Sequence, residues 1–431
     1  MRLISFLGLF VLIFVAYLLS ENKKAIKFKP VLIACLLQIT LGVLVLGIPS
    51  IGFNGPLRPL FSAINQAFVA LLSFTNEGSQ FLFGPLVDVK KSGFIIGLQI
   101  LPVILFFSSL ISILYYLGVI QKMVKWIAII MQKTMGTSGA ESLSAAANIF
   151  AGQTEAPLII KPYIDKMTRS ELNALMVGGM ATVAGGILAV YVGLLISSIP
   201  DIAGHLITAS VMSAPAALAI AKIMVPETKT PETLGKFPET FKSSDSNIIE
   251  AASNGASEGL KLAFNVAAML LVFIALIALC NSMLTTVGQW ANFQDWGKSF
   301  VPTSLLQNGQ AQLSLQVILS WVFAPFAFIM GIPWSEAFLA GSLLGEKVVL
   351  NEFISYLHLS KMTSELSERT VIILSYALSG FANFASIGIQ IGGIGGIAPR
   401  RKSDLAKLGI KALIGGSLAA FMTACIAGFL I

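Results

Sequence analysis

148-NIFAGQTEAPLIIKPY-163 decides how this chain is read. An amide, a hydroxyl and a carboxylate, on Gln153, Thr154 and Glu155, stand side by side behind Gly152, and Pro157 follows two residues later. The surroundings are apolar. An ionisable group at membrane depth is costly and is usually there for function. Gly and Pro on either side break a helix, and broken backbone at that depth is tolerated only where protein buries it or water reaches it. Residues 139–163 therefore read as a re-entrant hairpin with a polar binding site at its tip.

The composition agrees with a membrane setting. Of 431 residues, 56% are hydrophobic and 11% charged, against ~25% charged in soluble domains. Several apolar runs approach the ~20 residues that cross a bilayer. The +7 net charge needs no nucleic-acid partner, because Lys and Arg accumulate in cytoplasmic loops. Cys35, Cys280 and Cys425 are isolated, which gives neither a disulfide frame nor a metal cluster. His205 and His358 have no partner at ligand spacing. The apolar run at the start is full length and lacks a small-residue cleavage site, so it reads as a span rather than a signal peptide.

The fold class is an all-α integral membrane protein. Spans are expected at 4–19, 31–48, 94–117, 172–196, 206–223, 259–283, 370–396 and 405–431. The fourth is interrupted at Ala184, Gly185 and Gly186. Interfacial helices are expected at 56–74, around Lys122, Lys125 and Lys133, and at 289–310, where Trp290 and Trp296 suit the headgroup region. Residues 74–83 (FTNEGSQFLF) read as a polar-aromatic strip at the outer surface. Residues 226–250 read as a mobile cytoplasmic linker. Lys23, Lys24, Lys27 and Lys29, then Lys161, Lys166 and Arg169, then Arg400, Arg401 and Lys402 mark inside loops, which places both termini outside.

The second half echoes the first. Met135-Gly136 precedes Glu141, and Met330-Gly331 precedes Glu336 at the same spacing. Glu155 and Glu352 lie 197 positions apart, as do Ser170 and Ser367. Three spans separate the two hairpins, so the second copy is inverted. Inverted repeats with a site at their interface are the plan of secondary transporters. The chain divides into 1–53 (two spans), 54–137 (scaffold), 138–225 (first repeat), 226–257 (linker), 258–311 (scaffold) and 312–431 (second repeat).

Gln153, Thr154 and Glu155 at one tip, Glu352 at the other, and Asn383 and Ser386 in the seventh span are donors and acceptors suited to a neutral, polyhydroxylated ligand. A carboxylate accepting from two vicinal hydroxyls suits a ribose, and an amide with a hydroxyl can read a heterocycle edge. Phe381 offers a ring face. No Arg lies in these motifs, whereas an anionic substrate would want one. That argues against a carboxylate transporter. A polytopic enzyme would need a nucleophile–base or metal constellation, and a channel would need a continuous polar pore. No Gly-x4-Gly-Lys motif stands where an ATPase would need it, so a cation must drive transport. Sodium wants hard oxygen ligands, which unwound backbone supplies in transporters. Asn148, Thr182 and the carbonyls of Ala151 and Val183 could form such a cage.

GQTEAP, NEF and GFAN-x-x-S in this order, with PRR before the last span, resemble the concentrative nucleoside transporter family over essentially the whole chain. The resemblance implies eight spans, two re-entrant hairpins and three interfacial helices. It also implies a homotrimer, an elevator movement, and residence in a bacterial inner membrane. A scaffold including the third and sixth spans would hold the trimer. The hairpins with spans four, five, seven and eight would form the moving part. By the same resemblance, Gln153, Thr154, Glu155 and Ile187 contact the base, and Glu352, Asn383 and Ser386 the ribose. Phe381 is the aromatic wall, and Asn148, Ala151, Thr182 and Val183 hold sodium. Ser is common in relatives at position 182 and Val at 187. The first change keeps the hydroxyl, while Ile187 adds a methylene beside the base. A proton-coupled branch resembles GQSEN where this chain has GQTEAP, which favours sodium here. The expected function is sodium-driven import of uridine-like nucleosides. Proton coupling, or another small neutral polar solute, is the alternative.

Overall fold

The computed structural model describes every residue except 94, 239–244, 302–304 and 307–308. The described residues form helices and connecting turns, with one isolated bridge between Ile48 and Phe53. Among them, six helices are long and apolar enough to cross a bilayer: Phe28–Leu46, Gly97–Tyr116, Arg169–Leu195, Ile202–Met224, Ile248–Trp290 and Pro399–Leu430. Each coincides with an expected span. The first expected span is the shorter helix Arg2–Leu18, and the seventh is divided into Glu368–Leu378 and Phe384–Ile397. The fourth, too, is divided, into Arg169–Ala181 and Gly185–Leu195.

These helices form an inner and an outer group. In Arg169–Leu195, Ile202–Met224 and Pro399–Leu430, 83–89% of the residues in an 18-residue apolar stretch are buried, whereas in Phe28–Leu46, Gly97–Tyr116 and Ile248–Trp290 only 11–28% are. Small residues allow the inner group to pack closely. A methyl group at Gly415 would stand 2.9 Å from Val177, and one at Gly416 would stand 2.6 Å from Met180.

The two halves repeat the same order of parts. In the first, Ile96–Tyr116 is followed by Val119–Met135, the first hairpin, the divided fourth span and Ile202–Met224. In the second, Ile248–Trp290 is followed by Leu315–Ile329, the second hairpin (Trp334–Val349 and Glu352–Met362), the divided seventh span and Lys402–Leu430. Gly136 and Gly331, each reached just before a hairpin, take positive φ (70° and 92°), a conformation glycine adopts without Cβ strain. Leu315–Ile329 turns by 119° into Trp334–Val349.

Three local expectations are corrected. Residues 74–83 are exposed at most positions but are not an element of their own: one helix, Arg58–Phe83, runs through both the expected interfacial segment and the strip, and ends at Gly84. Among the described residues, the expected interfacial helix at 289–310 is not one continuous helix. Ile248–Trp290 enters it, Asn292 at φ 49° ends the continuity, and a single turn Phe293–Trp296 follows; residues 302–304 and 307–308 of that segment lie outside the described residues. Trp296 and Trp321 pack around Phe293, with ring centroids 4.8 and 6.1 Å away, while Trp290 stays exposed. The helix at the repeat-equivalent place is Leu315–Ile329. The described part of the linker is tied down. Thr233 accepts from the amides of Gly139 and Ala140, through its carbonyl and its hydroxyl, each at 3.0 Å. Helix N-termini need such acceptors, so the linker completes the start of the first hairpin. Residues 239–244 of it lie outside the described residues.

Candidate transport site

The first hairpin begins with a capping box. Ser138 accepts from the Glu141 amide, and Glu141 Oε1 accepts from the Ser138 amide at 2.7 Å. Gly139–Ala147 is buried along its whole length, which its run of Ala, Ser and Gly permits. It stops at Asn148, and helix resumes only at Ala156, with Pro157 in the first turn. The tip between is docked on the break of the fourth span: the Gly185 amide donates to the Phe150 carbonyl at 3.2 Å.

Asn148 is buried. Its Nδ2 donates to the Ser144 carbonyl at 3.0 Å, while its Oδ1 is buried without a hydrogen-bond partner. Thr182 Oγ1 donates to the Gly178 carbonyl at 2.9 Å, leaving lone pairs free. A methyl group at Gly178 would stand 3.3 Å from Asn148 Nδ2. Gly178 thus joins Asn148 and Thr182 at the end of Arg169–Ala181. Val183 is fully buried and Ala151 half-buried beside them. An orphaned amide oxygen beside carbonyls at a helix C-terminus fits a hard cation.

The divided spans meet backbone to backbone. The Phe381 amide donates to the Thr182 carbonyl at 3.3 Å. Gly380 sits at φ 141°, and a Cβ there would fall 2.9 Å from the Ala181 carbonyl, so only glycine fits the crossing.

A string of polar side chains connects the two hairpin tips. Asn351 caps Glu352–Met362, its Oδ1 accepting from the Ile354 amide at 2.9 Å, and so sets Glu352 in the first turn. Glu352 Oε1 accepts from Tyr191 Oη, and Oε2 from Asn383 Nδ2, both at 3.0 Å. Asn383 caps Phe384–Ile397, its Oδ1 accepting from the Ser386 amide at 2.9 Å. Gln153 Nε2 donates to Ser386 Oγ at 3.1 Å, and Gln390 Nε2 donates to Gln153 Oε1 at the same distance. Gly179 makes the room: a methyl group there would collide with both Gln153 and Gln390, at 2.8–2.9 Å.

Gln153, Glu352, Asn383 and Ser386 are thus brought into one network. Four other expected site residues stand outside it. Glu155 is exposed and accepts from the Gly152 amide at 3.1 Å, within its own turn. Thr154 and Phe381 are half-buried, with Thr154 lying against Gly393 of the seventh span. Ile187 is buried in the first turn after the fourth-span break. Tyr191, Gln390 and Lys347 were not singled out in the sequence. Gln390 is the amide in the apolar run 387-IGIQIGG-393, one helical turn beyond Ser386, and this spacing was the available signal.

Three family models match the chain. They are described as Na+ dependent nucleoside transporter N-terminus (residues 7–86), Nucleoside recognition (97–198) and Na+ dependent nucleoside transporter C-terminus (205–428). An uncharacterized transporter of Haemophilus influenzae is 45% identical, over 99% of this chain and 97% of that protein. Nucleoside permease NupC of Helicobacter pylori is 40% identical, over 100% and 98%. Solute carrier family 28 member 3 of Mus musculus is also 40% identical over the full chain, but this chain spans only 59% of it. The structure is similar to CNTnw in an inward-facing substrate-bound state, with TM-score 0.87, 44% identity, and coverage of 100% of this chain and 98% of that one. An outward-facing variant of CNTnw gives the same TM-score at 43% identity, covering 100% and 97%.

Proposed function

Because the chain belongs to the family of Na+-dependent nucleoside transporters, we propose that it imports nucleosides, uridine among them, by symport with sodium. The observation that carries the reading is the polar string from Gln153 through Ser386 and Asn383 to Glu352. It is buried among apolar helices and draws on both hairpins and the seventh span, and no arginine takes part in the hydrogen bonds described for it. A neutral cargo can exchange with those internal hydrogen bonds one for one. Glu352 accepts the ribose hydroxyls in place of Tyr191 and Asn383, while Gln153 turns from Ser386 to the base. Thr154, Glu155 and Ile187 complete the base side, and Phe381 walls the site.

Asn148, Thr182 and the carbonyls of Ala151 and Val183 would hold the sodium ion. Sodium supplies positive charge where the first hairpin tip meets the fourth-span break. Holding both elements at once orders Gln153 before the nucleoside arrives. Alternating access follows from an elevator movement of the hairpins with spans four, five, seven and eight against a trimeric scaffold built on spans three and six, with both termini outside.

The test is radiolabelled uridine uptake into proteoliposomes with sodium and proton gradients imposed separately. Uptake should follow sodium, and nucleosides should compete where nucleotides and free bases do not. Potent competition by uridine monophosphate with none by uridine would overturn the substrate class. Uptake driven only by protons would move the coupling to a carboxylate, with the exposed Glu155 first in line.

A further inference from the structure

Counted from their capping residues, Thr168 and Ser367, Gly178 and Ala377 each stand ten residues into the two divided spans. Each lies in the last turn of its first half-helix, where carbonyls point onward unpaired and positive charge is favoured. In the first repeat, the Gly178 carbonyl accepts from Thr182, and Asn148 beside it presents a buried oxygen with no partner. In the second repeat, the Ala377 carbonyl accepts from Nζ of Lys347 at 2.7 Å. Lys347 comes from the second hairpin, is fully buried, and its ammonium lies 5.7 Å from the ring centroid of Phe421. One hairpin therefore brings an acceptor to its helix end, and the other brings a cation.

A buried ammonium needs a counter-charge. Glu352 lies five residues on, at the same tip, and the side chains bonded to its two oxygens, Tyr191 and Asn383, are neutral donors. We propose that Lys347 is a tethered cation filling, in the second repeat, the position that sodium takes in the first. It keeps Glu352 ionised for the cargo without recruiting a second ion, so that one sodium moves with each nucleoside. The proposal rests on the sodium-coupled reading above.

The experiment measures labelled sodium and labelled uridine entering proteoliposomes together, in the wild type and in Lys347→Met, which keeps the chain length and removes the charge. The wild type should show a flux ratio of one and a sodium dependence of first order. In Lys347→Met the order should rise toward two, and the sodium needed for half-maximal uptake should increase by about 5-fold or more, as for other coupled sites. A variant with the wild-type sodium curve would overturn the proposal. So would sodium-driven wild-type uptake with a ratio of two, and that measurement decides the matter if Lys347→Met does not fold. Uptake indifferent to sodium would instead overturn the transport reading on which the proposal rests.

Discussion

At Asn148 one side chain divides its two functions. Its amide hydrogens hold Ser144, and its oxygen is left buried and open. Asn148→Leu should therefore leave the hairpin folded but uncouple the ion. Uridine affinity, titrated in sodium and in choline at one pH, should differ between the two salts for the wild type by the ~1–3 kcal/mol typical of linked sites and be equal for the variant. Glu352 has the opposite arrangement, with both oxygens bonded. Glu352→Gln replaces charge-assisted hydrogen bonds, worth ~1.5–3 kcal/mol, with weaker ones. Uridine affinity in calorimetric titration should fall at least about tenfold, with the melting curve little changed. Gln153, Asn383 and Ser386 were legible because polar groups close to Gly stand out in an apolar sequence, and Glu352 because it repeats Glu155 at 197 positions. Gln390, Tyr191 and Lys347 were not. A lone polar residue within a helix is read as packing until its partner, distant in sequence, is seen. Glu155 was just as visible as Gln153, yet the turn it closes on Gly152 turns it away from the shared string.

The two hairpins enter their repeats by mirrored contacts. Ser138, which caps the first hairpin, donates to Glu171 in the first turn of the fourth span. In the second repeat, Ser367, which caps the seventh span, donates to Glu336 in the first turn of the second hairpin at 3.0 Å. The roles of serine and glutamate are exchanged, but the joint is the same. The crossing of the divided spans is fixed by Gly380. Gly380→Ala introduces a strained backbone and a contact with Ala181, so it should cost ~1–3 kcal/mol, read as a lower melting temperature together with weaker uridine binding. Serine in place of Thr182, which keeps the hydroxyl, should spare both. Hairpins and breaks were legible from Gly, Pro and the repeat spacing. The helix Leu315–Ile329 was passed over because it is short and carries Pro325, and because the tryptophans nearby drew the interfacial reading to the Phe293 cluster.

Across the molecule, Glu21 ties the loop after the first helix to two distant elements. It accepts from Arg169 at 2.8 Å and from Lys411 at 2.7 Å. The hydrogen bond from Arg169, joined by Lys411, lowers its carboxyl from the usual 4.5 to about 2, against the opposing effect of burial. A lowered pKa means that the tie stabilises the fold fully above pH 4.5 and is lost as the pH falls toward 2. Glu21→Gln should therefore melt below the wild type at pH 7, by no more than ~1 kcal/mol for a partly exposed pair, and the gap should close between pH 4.5 and 2. The inverted repeat was visible in the chain as matched spacings. The inner and outer grouping of spans was not, because both groups are equally apolar and only the packing separates them. The inner group therefore has protein, not lipid, as its solvent. A photoactivated apolar reagent dissolved in the bilayer would mark Arg2–Leu18, with Leu3, Phe10 and Phe14 exposed, and leave Arg169–Leu195 almost unmarked. Changing the lipid should then act on the frame around the cargo and leave the chemistry of the cargo contacts as it was.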